Sequence, residues 1–331
     1  MLPTLTLIVP DLNPVLATRG GNDTDSSHWP NLARLAGRGV AARRAIDARA
    51  DSLHTALLDA LNLRNVAERY PSAAVMRTGS TNERAEGFWL RVQPMHFIAG
   101  LDRITTVVLR GAGRMTAAER SALAPVFAGH LQSTGLELHA VADEWLLRSA
   151  APLRLETVTP EFAAANPRSE ILPRGADAGA IRRLMTEMQM LLHEHPVNQQ
   201  RQARGAPVIN AVWIHGEGML GDVPPVSLPQ GCGEDLYLRG IYRLHDQTAG
   251  AKPADAKALL AQLHGPTVAV IDAPDLDVLE ARWLAPLARA LLTGVITKLT
   301  VMFDEWQVSA GRTDLFKVWR RERPPLEWAA C

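Results

Sequence analysis

The stretch TVAVIDAPDLDVLEARWLAPLARALLTGVITKLTVMF, residues 267–303, reads as strand, helix, strand. TVAVID (267–272) and KLTVMF (298–303) are short apolar runs, the kind buried on both faces of a parallel sheet. Residues 276–292 between them read as a long helix, in which Pro286 predicts a kink or break. Such a βαβ unit implies a parallel sheet covered by helices. Working back from it, the chain offers helices at 254–263 and around 235–244, then the apolar strand INAVWIHG (209–216). A helix at 177–193 precedes that strand, with Met185, Met188, Leu191 and Leu192 on its apolar face.

The other end of the chain has the same texture. LTLIV (5–9) is a short apolar strand closed by Pro10 and Asp11. Residues 12–30 are rich in Gly, Asn, Asp and Ser and read as a loop, and NLARLAG (31–37) reads as a short helix stopped by glycine. RADSLHTALLDAL (49–61) opens a helix over 49–63. Asp51 and Ser52 can accept from its first N–H groups, and Leu53, Ala56, Leu57, Ala60 and Leu61 follow at helical spacing. The middle differs: strands at 87–97 and 103–109, a helix at 116–135 and a strand pair at 136–149 form a small α+β unit. Three prolines mark 159–175 as a linker. The expected fold is therefore α/β: a three-layer α/β/α core with a mainly parallel sheet, interrupted by a small α+β domain. The expected limits are 1–70 with 176–331 for the core and 71–175 for the insertion.

Composition bounds the function. The 331 residues are 47% hydrophobic and 21% charged, with formal net charge zero, so no electrostatic preference for nucleic acid or anionic membrane is implied. The cations are 31 Arg and 4 Lys, with Arg spread along the chain. Eight scattered tryptophans make no base-stacking surface. Cys232 and Cys331 form no disulfide framework and no zinc spacing, which fits a reducing cytoplasm. The apolar N-terminal run is too short for a signal or membrane segment.

Ligands in open α/β sheets gather beyond the carboxyl ends of the strands, and three expected strands end in acids there. Asp11 follows LTLIV, Asp272 and Asp275 follow TVAVI, and Asp304-Glu305 follow LTVMF. Converging carboxylates suit a hard divalent cation. Asp also starts turns and caps helices, and both readings stand here. His193 and His195, two apart, lie on different helix faces, and Pro196 ends that helix before a basic loop. His215, after AVWI, lies near the same carboxyl ends.

A longer pattern joins these pieces. HPVNQQRQARGAPVINAVWIHGEG (195–218) resembles a signature of the archaeal-type, cofactor-independent phosphoglycerate mutases of the alkaline phosphatase superfamily. PNLARLAGRGV (30–40), DLYLRGIYRL (235–244) and the APD at 273–275 resemble that family in the same order. The resemblance implies an alkaline-phosphatase-like core, with 71–175 matching the family's cap domain by position. It also implies two divalent metals that activate a serine, which carries the phosphoryl group between hydroxyls of glycerate. The family's Ser-Asp-Thr-Ala-His corner corresponds here to Ala50, Asp51, Ser52, Leu53 and His54. The serine position is alanine, and Ser52 lies roughly 200° further round a helix. Asp11, Asp275 and Asp304 match aspartate ligands, whereas Leu279 and Glu305 stand where histidines are expected. No histidine follows residue 264. Three aspartates remain while the serine and three histidines, all serving one reaction, are gone. The pattern resembles a proteobacterial regulatory subgroup. It implies no catalytic residue and no cofactor beyond one weakly held Mg²⁺ or Mn²⁺ at Asp11, Asp275, Asp304 or Glu305. The expected partners are a small phosphorylated or carboxylated metabolite and another protein, with no nucleic acid and no membrane. The alternative is an active metal-dependent mutase or phosphohydrolase with a site rebuilt on Asp11, Asp275 and Asp304. Glu305 is left open between metal ligand and ion pair with an arginine such as Arg312.

Overall fold

The computed structural model describes residues 3–12, 29–45, 47–81, 83–100, 104–166, 170–273 and 276–321. The chain is an α/β protein. Its described strands are β1 (Thr4–Ile8), β2 (Val40–Arg43), β3 (Phe88–Ala99), β4 (Ile104–Val108), β5 (Leu136–Val141), β6 (Glu144–Ser149), β7 (Ala211–Gly218), β8 (Gln230–Cys232), β9 (Thr267–Val270), β10 (Lys298–Phe303) and β11 (Trp306–Gly311). They divide between two compact units.

The first unit comprises Met1–Ala45, Ser52–Asn65 and Pro225–Cys331. Its sheet runs β2-β11-β10-β1-β9-β8. The βαβ reading holds: β9 and β10 lie on either side of β1 and parallel to it, with Ile8 opposite both Val270 and Met302. β11 and β2 add antiparallel strands at one side, which makes the sheet mixed. Leu5, Leu7, Val301 and Leu299 point into a core completed by Leu32, Leu35, Trp283, Leu287 and Leu291 from the helices. The helix between β9 and β10 is not uniform. Leu276–Val278 is α, Leu279–Leu284 widens to a π turn, and Ala285–Thr293 is α again. Pro286 accounts for this, because it cannot donate and its ring crowds the carbonyl four residues back. The wider turn, in which the Ala285 N–H bonds to Glu280 O, opens that space. Gly294, at φ 80°, then closes the helix in the left-handed conformation.

β8 lies under the helix Leu236–Leu244. A Cβ on Gly231 would stand 2.4 Å from Tyr242 Cζ. The ring cannot swing aside, because Tyr242 Oη donates to Pro229 O at 2.6 Å. Gly231→Ala is therefore expected to cost about 1–3 kcal/mol through overpacking. Thermal unfolding against the wild-type chain measures it, and an unchanged midpoint contradicts the packing account.

The second unit comprises Ile46–Asp51 and Val66–Pro224. Its sheet is antiparallel, in the order β4-β3-β6-β5, with β7 also pairing with β3. Trp145, Phe127, Leu90, Met95 and Trp213 fill its core, with Phe127 and Trp145 edge to face at 5.1 Å. Here the structure departs from the expected limits. Residues 176–224, expected with the parallel core, belong to this unit, and β7 is an antiparallel strand. Its apolar run signals burial on both faces, which the helices Ser72–Ser80 and Ala178–His193 packed against it provide. Two-faced burial, not parallel pairing, is what that sequence encodes. The expected linker 159–175 also carries order: Thr159 caps the helix Pro160–Ala165, and Glu156 bridges to Arg174. Among the described residues, no helix is long and apolar enough to cross a membrane.

Candidate functional site

In the first unit, β10, β1 and β9 are adjacent and parallel, so Asp304, Asp11 and Asp272 follow their carboxyl ends at one edge of the sheet. Each has a local structural role or partner. Asp304 and Glu305 form the two-residue connection between β10 and β11, where Phe303 faces Trp306. Tight hairpins need a residue at positive φ, and Asp304 supplies it at 41°. Asp11, at φ 59°, also adopts the left-handed conformation that Asp tolerates better than most residues. Asp272 accepts from Lys252 Nζ at 2.8 Å. Glu305 pairs with Arg43 at 2.9 Å, not with Arg312. Asp275 lies outside the described residues. Among the described residues, no three His, Cys, Asp or Glu side chains gather as a metal ion requires.

The helix Ser52–Ala60 packs against β1 and β10. Arg44 ties its start to the same edge: its N–H donates to Glu305 O and its Nη2 to Ser52 O, and its Nε lies 3.6 Å from Asp59. His54, one turn in, is buried and stacks on Tyr237, ring centres 3.8 Å apart. The tyrosine lies on the helix whose N-cap is Asp235.

Ala50 and Asp51 belong to the second unit. The N–H of Ala50 donates to Asp47 Oδ1, as does that of Arg49. Asp51 directly precedes the helix as the sequence implies, and its Oδ2 accepts from Arg91 Nη1 at 2.6 Å. Arg91 also reaches Glu144 at 3.1 Å. Burial opposes the charge of Arg91, but Glu144 and Asp51 outweigh it and raise its pKa above the ordinary value. His215 is buried on β7 opposite Arg91 of β3. It belongs to the second sheet.

The 195–218 signature forms a structural bracket in the second unit. His193 ends one helix. His195 caps the next, Pro196–Ala203, by accepting from the Val197 N–H. Pro196 thus starts a helix where a basic loop was expected, and proline at the first helical position was the signal for it. Asn198 donates to Leu192 O and Ile209 O and accepts from Ile209 N–H, each at 2.8 Å. Arg201, fully buried, donates to Pro207 O, Gly113 O, Arg114 O and Glu119 Oε2. Trp213 Nε1 donates to Val158 O, and Glu217 accepts from Thr157. In the first unit, sequence reasoning missed Glu280. Its carboxylate accepts from the N–H groups of Asn31 and Leu32 at the start of the helix Pro30–Arg38. Those partners lie about 250 positions away in the chain, and no local pattern marks such a pairing.

No family model matches the chain. A 65-residue stretch, 20% of the chain, is 37% identical to the 2,3-bisphosphoglycerate-independent phosphoglycerate mutase of Methanothrix thermoacetophila, and the chain spans 17% of that relative's length. Among solved structures, it is similar to the cofactor-independent phosphoglycerate mutase of Thermoplasma acidophilum, at 16% identity and TM-score 0.39, over 93% of this chain and 90% of that one. It is also similar to a Pyrococcus horikoshii protein, at 14% identity and TM-score 0.41, over 94% and 88% of the two chains.

Proposed function

We propose that this chain is a phosphoglycerate-mutase-like protein that has lost phosphoryl transfer and acts by binding. In this reading it is a regulatory or sensing protein for a small phosphorylated or carboxylated metabolite. The observation that carries the reading is Ala50. The residue in the serine's place has no oxygen to take a phosphoryl group, although the helix that would present it is intact. The pairing of Glu305 with Arg43 and of Asp272 with Lys252 supports the same reading, since both carboxylates already have cationic partners. The 37% identical stretch supports the link to mutases. The test incubates the purified chain with 3-phosphoglycerate and excess Mn²⁺. The expected outcome is no isomerised product together with a raised melting temperature, since a ligand that binds only the folded state stabilises it. Turnover that Asp11→Asn abolishes overturns the proposal.

The placement of Asp11 and Asp304 beyond adjacent parallel strands favours a second reading, an active enzyme with a rebuilt metal site. Metal analysis decides: one or more ions per purified chain, lost in Asp11→Asn, supports it.

A further inference from the structure

The outer edge of β2 has no role in the site described above. β2 pairs with β11 along one side, and among the described residues no strand lies along the other. The Arg44 N–H bonds to Glu305 O, so in an antiparallel ladder Val40 and Ala42 also face β11. The N–H and C=O groups of Ala41 and Arg43 then point outward. Open edges are normally blunted by lysine, proline or a bulge, because they template pairing with another chain. This one is short and ends on the charged Arg43, but it also carries Val40, 65% exposed.

A groove of about 440 Å³ runs beside it, bordered by Gly37, Gly39, Val40, Ala41, Arg320 and Arg321, and no carboxylate lines it. Arg320 is held there by donating to Arg38 O and Gly39 O. Val318 and Trp319, more than 70% exposed, directly precede the two arginines. Unpaired backbone groups, the exposed Val40 and two arginines in a groove lined by no carboxylate thus lie together, and Arg320 also feels the carboxylate of Asp314. Pairing with a second copy would bring a second Arg320 and Arg321 groove to the same interface, and like charges oppose that.

We propose that the edge of β2 is a docking strand that takes up an extended, acidic segment of another protein by β-augmentation. Backbone pairing at Ala41 and Arg43 supplies affinity, and Arg320 and Arg321 select for carboxylates.

Fluorescence anisotropy with labelled hexapeptides tests this on the full chain, using alternating Glu-Val and Lys-Val sequences. The glutamate peptide is expected to bind at least about ten-fold more tightly than the lysine peptide. Ala41→Pro removes one outward N–H without breaking the ladder to β11 and is expected to weaken binding about ten-fold or more. The double change Arg320→Gln with Arg321→Gln is expected to do the same. If Ala41→Pro fails to fold, Arg321→Glu carries the test, because that side chain is exposed. Absence of binding, equal binding of both peptides, or indifference to these substitutions overturns the proposal. Dimerisation that Ala41→Pro abolishes overturns it in favour of a second copy. Binding that requires removal of residues 322–331 overturns it in favour of the chain's own tail.

Discussion

Replacing Arg201 with methionine is expected to lower the unfolding free energy of the second unit by about 3–5 kcal/mol. The side chain is fully buried, and its guanidinium holds three backbone carbonyls and one carboxylate. Methionine fills similar space but leaves those acceptors in a low-dielectric interior without donors, and that desolvation penalty dominates the loss. Urea unfolding should show a lower midpoint at constant slope. Arg204 provides the control. It contacts the same Glu119 at 2.6 Å, but its side chain is 44% exposed, so Arg204→Ala should cost under about 1 kcal/mol. Equal effects of the two substitutions would contradict this account. The pH dependence has a defined sign. Burial pushes the Glu119 carboxyl up, but the Thr116 N–H, Arg201 and Arg204 outweigh it and hold it below the usual range. A depressed carboxyl contributes stability that is present above its unfolded pKa, about 4.3, and lost as pH falls through the folded value. Glu119→Gln should therefore flatten the acid limb of the stability curve as well as lower its plateau.

Arg91→Met is expected to be the next most damaging change, at about 3 kcal/mol. Arg91 is buried between Asp51 and Glu144, and its removal leaves two partly buried carboxylates facing each other without a cation. The double change Arg91→Met with Asp51→Asn should recover part of the loss, because one of the stranded charges is gone. A double-mutant cycle in urea measures the coupling. Strict additivity would show that the pair contributes nothing beyond its separate contacts.

Much of this was legible in the chain. The apolar runs at 5–9, 267–272 and 298–303 mark strands, and their shared parallel sheet follows from the helix between the last two. The helix Ser52–Ala60, shorter than the 49–63 expected, is marked by the apolar spacing of Leu53, Ala56, Leu57 and Ala60. β2 was not legible, because VAAR is too short, whereas WQVSAG does carry the strand signal of β11 in its apolar and polar alternation, which its alternating burial matches. The unit to which 176–224 belongs was hidden because burial on both faces looks alike in parallel and antiparallel strands. At the candidate site, the acids after the strands were visible, but their partners were not. Lys252, Arg43 and Glu280 find their contacts through tertiary packing, which leaves no local period in the sequence.

The position of β1 has a consequence for biosynthesis. Its flanking partners, β9 and β10, lie at the far end of the chain, and the contact between Pro3 and Thr297 spans 294 positions. On the ribosome this apolar strand is made well before either partner and waits with both edges unpaired until β9 and β10 follow. Residues 66–224, by contrast, form a continuous run that can collapse as soon as β7 appears. Pairing of β1 therefore has to await distant chain, and an apolar strand left unpaired for that time is exposed to aggregation during translation.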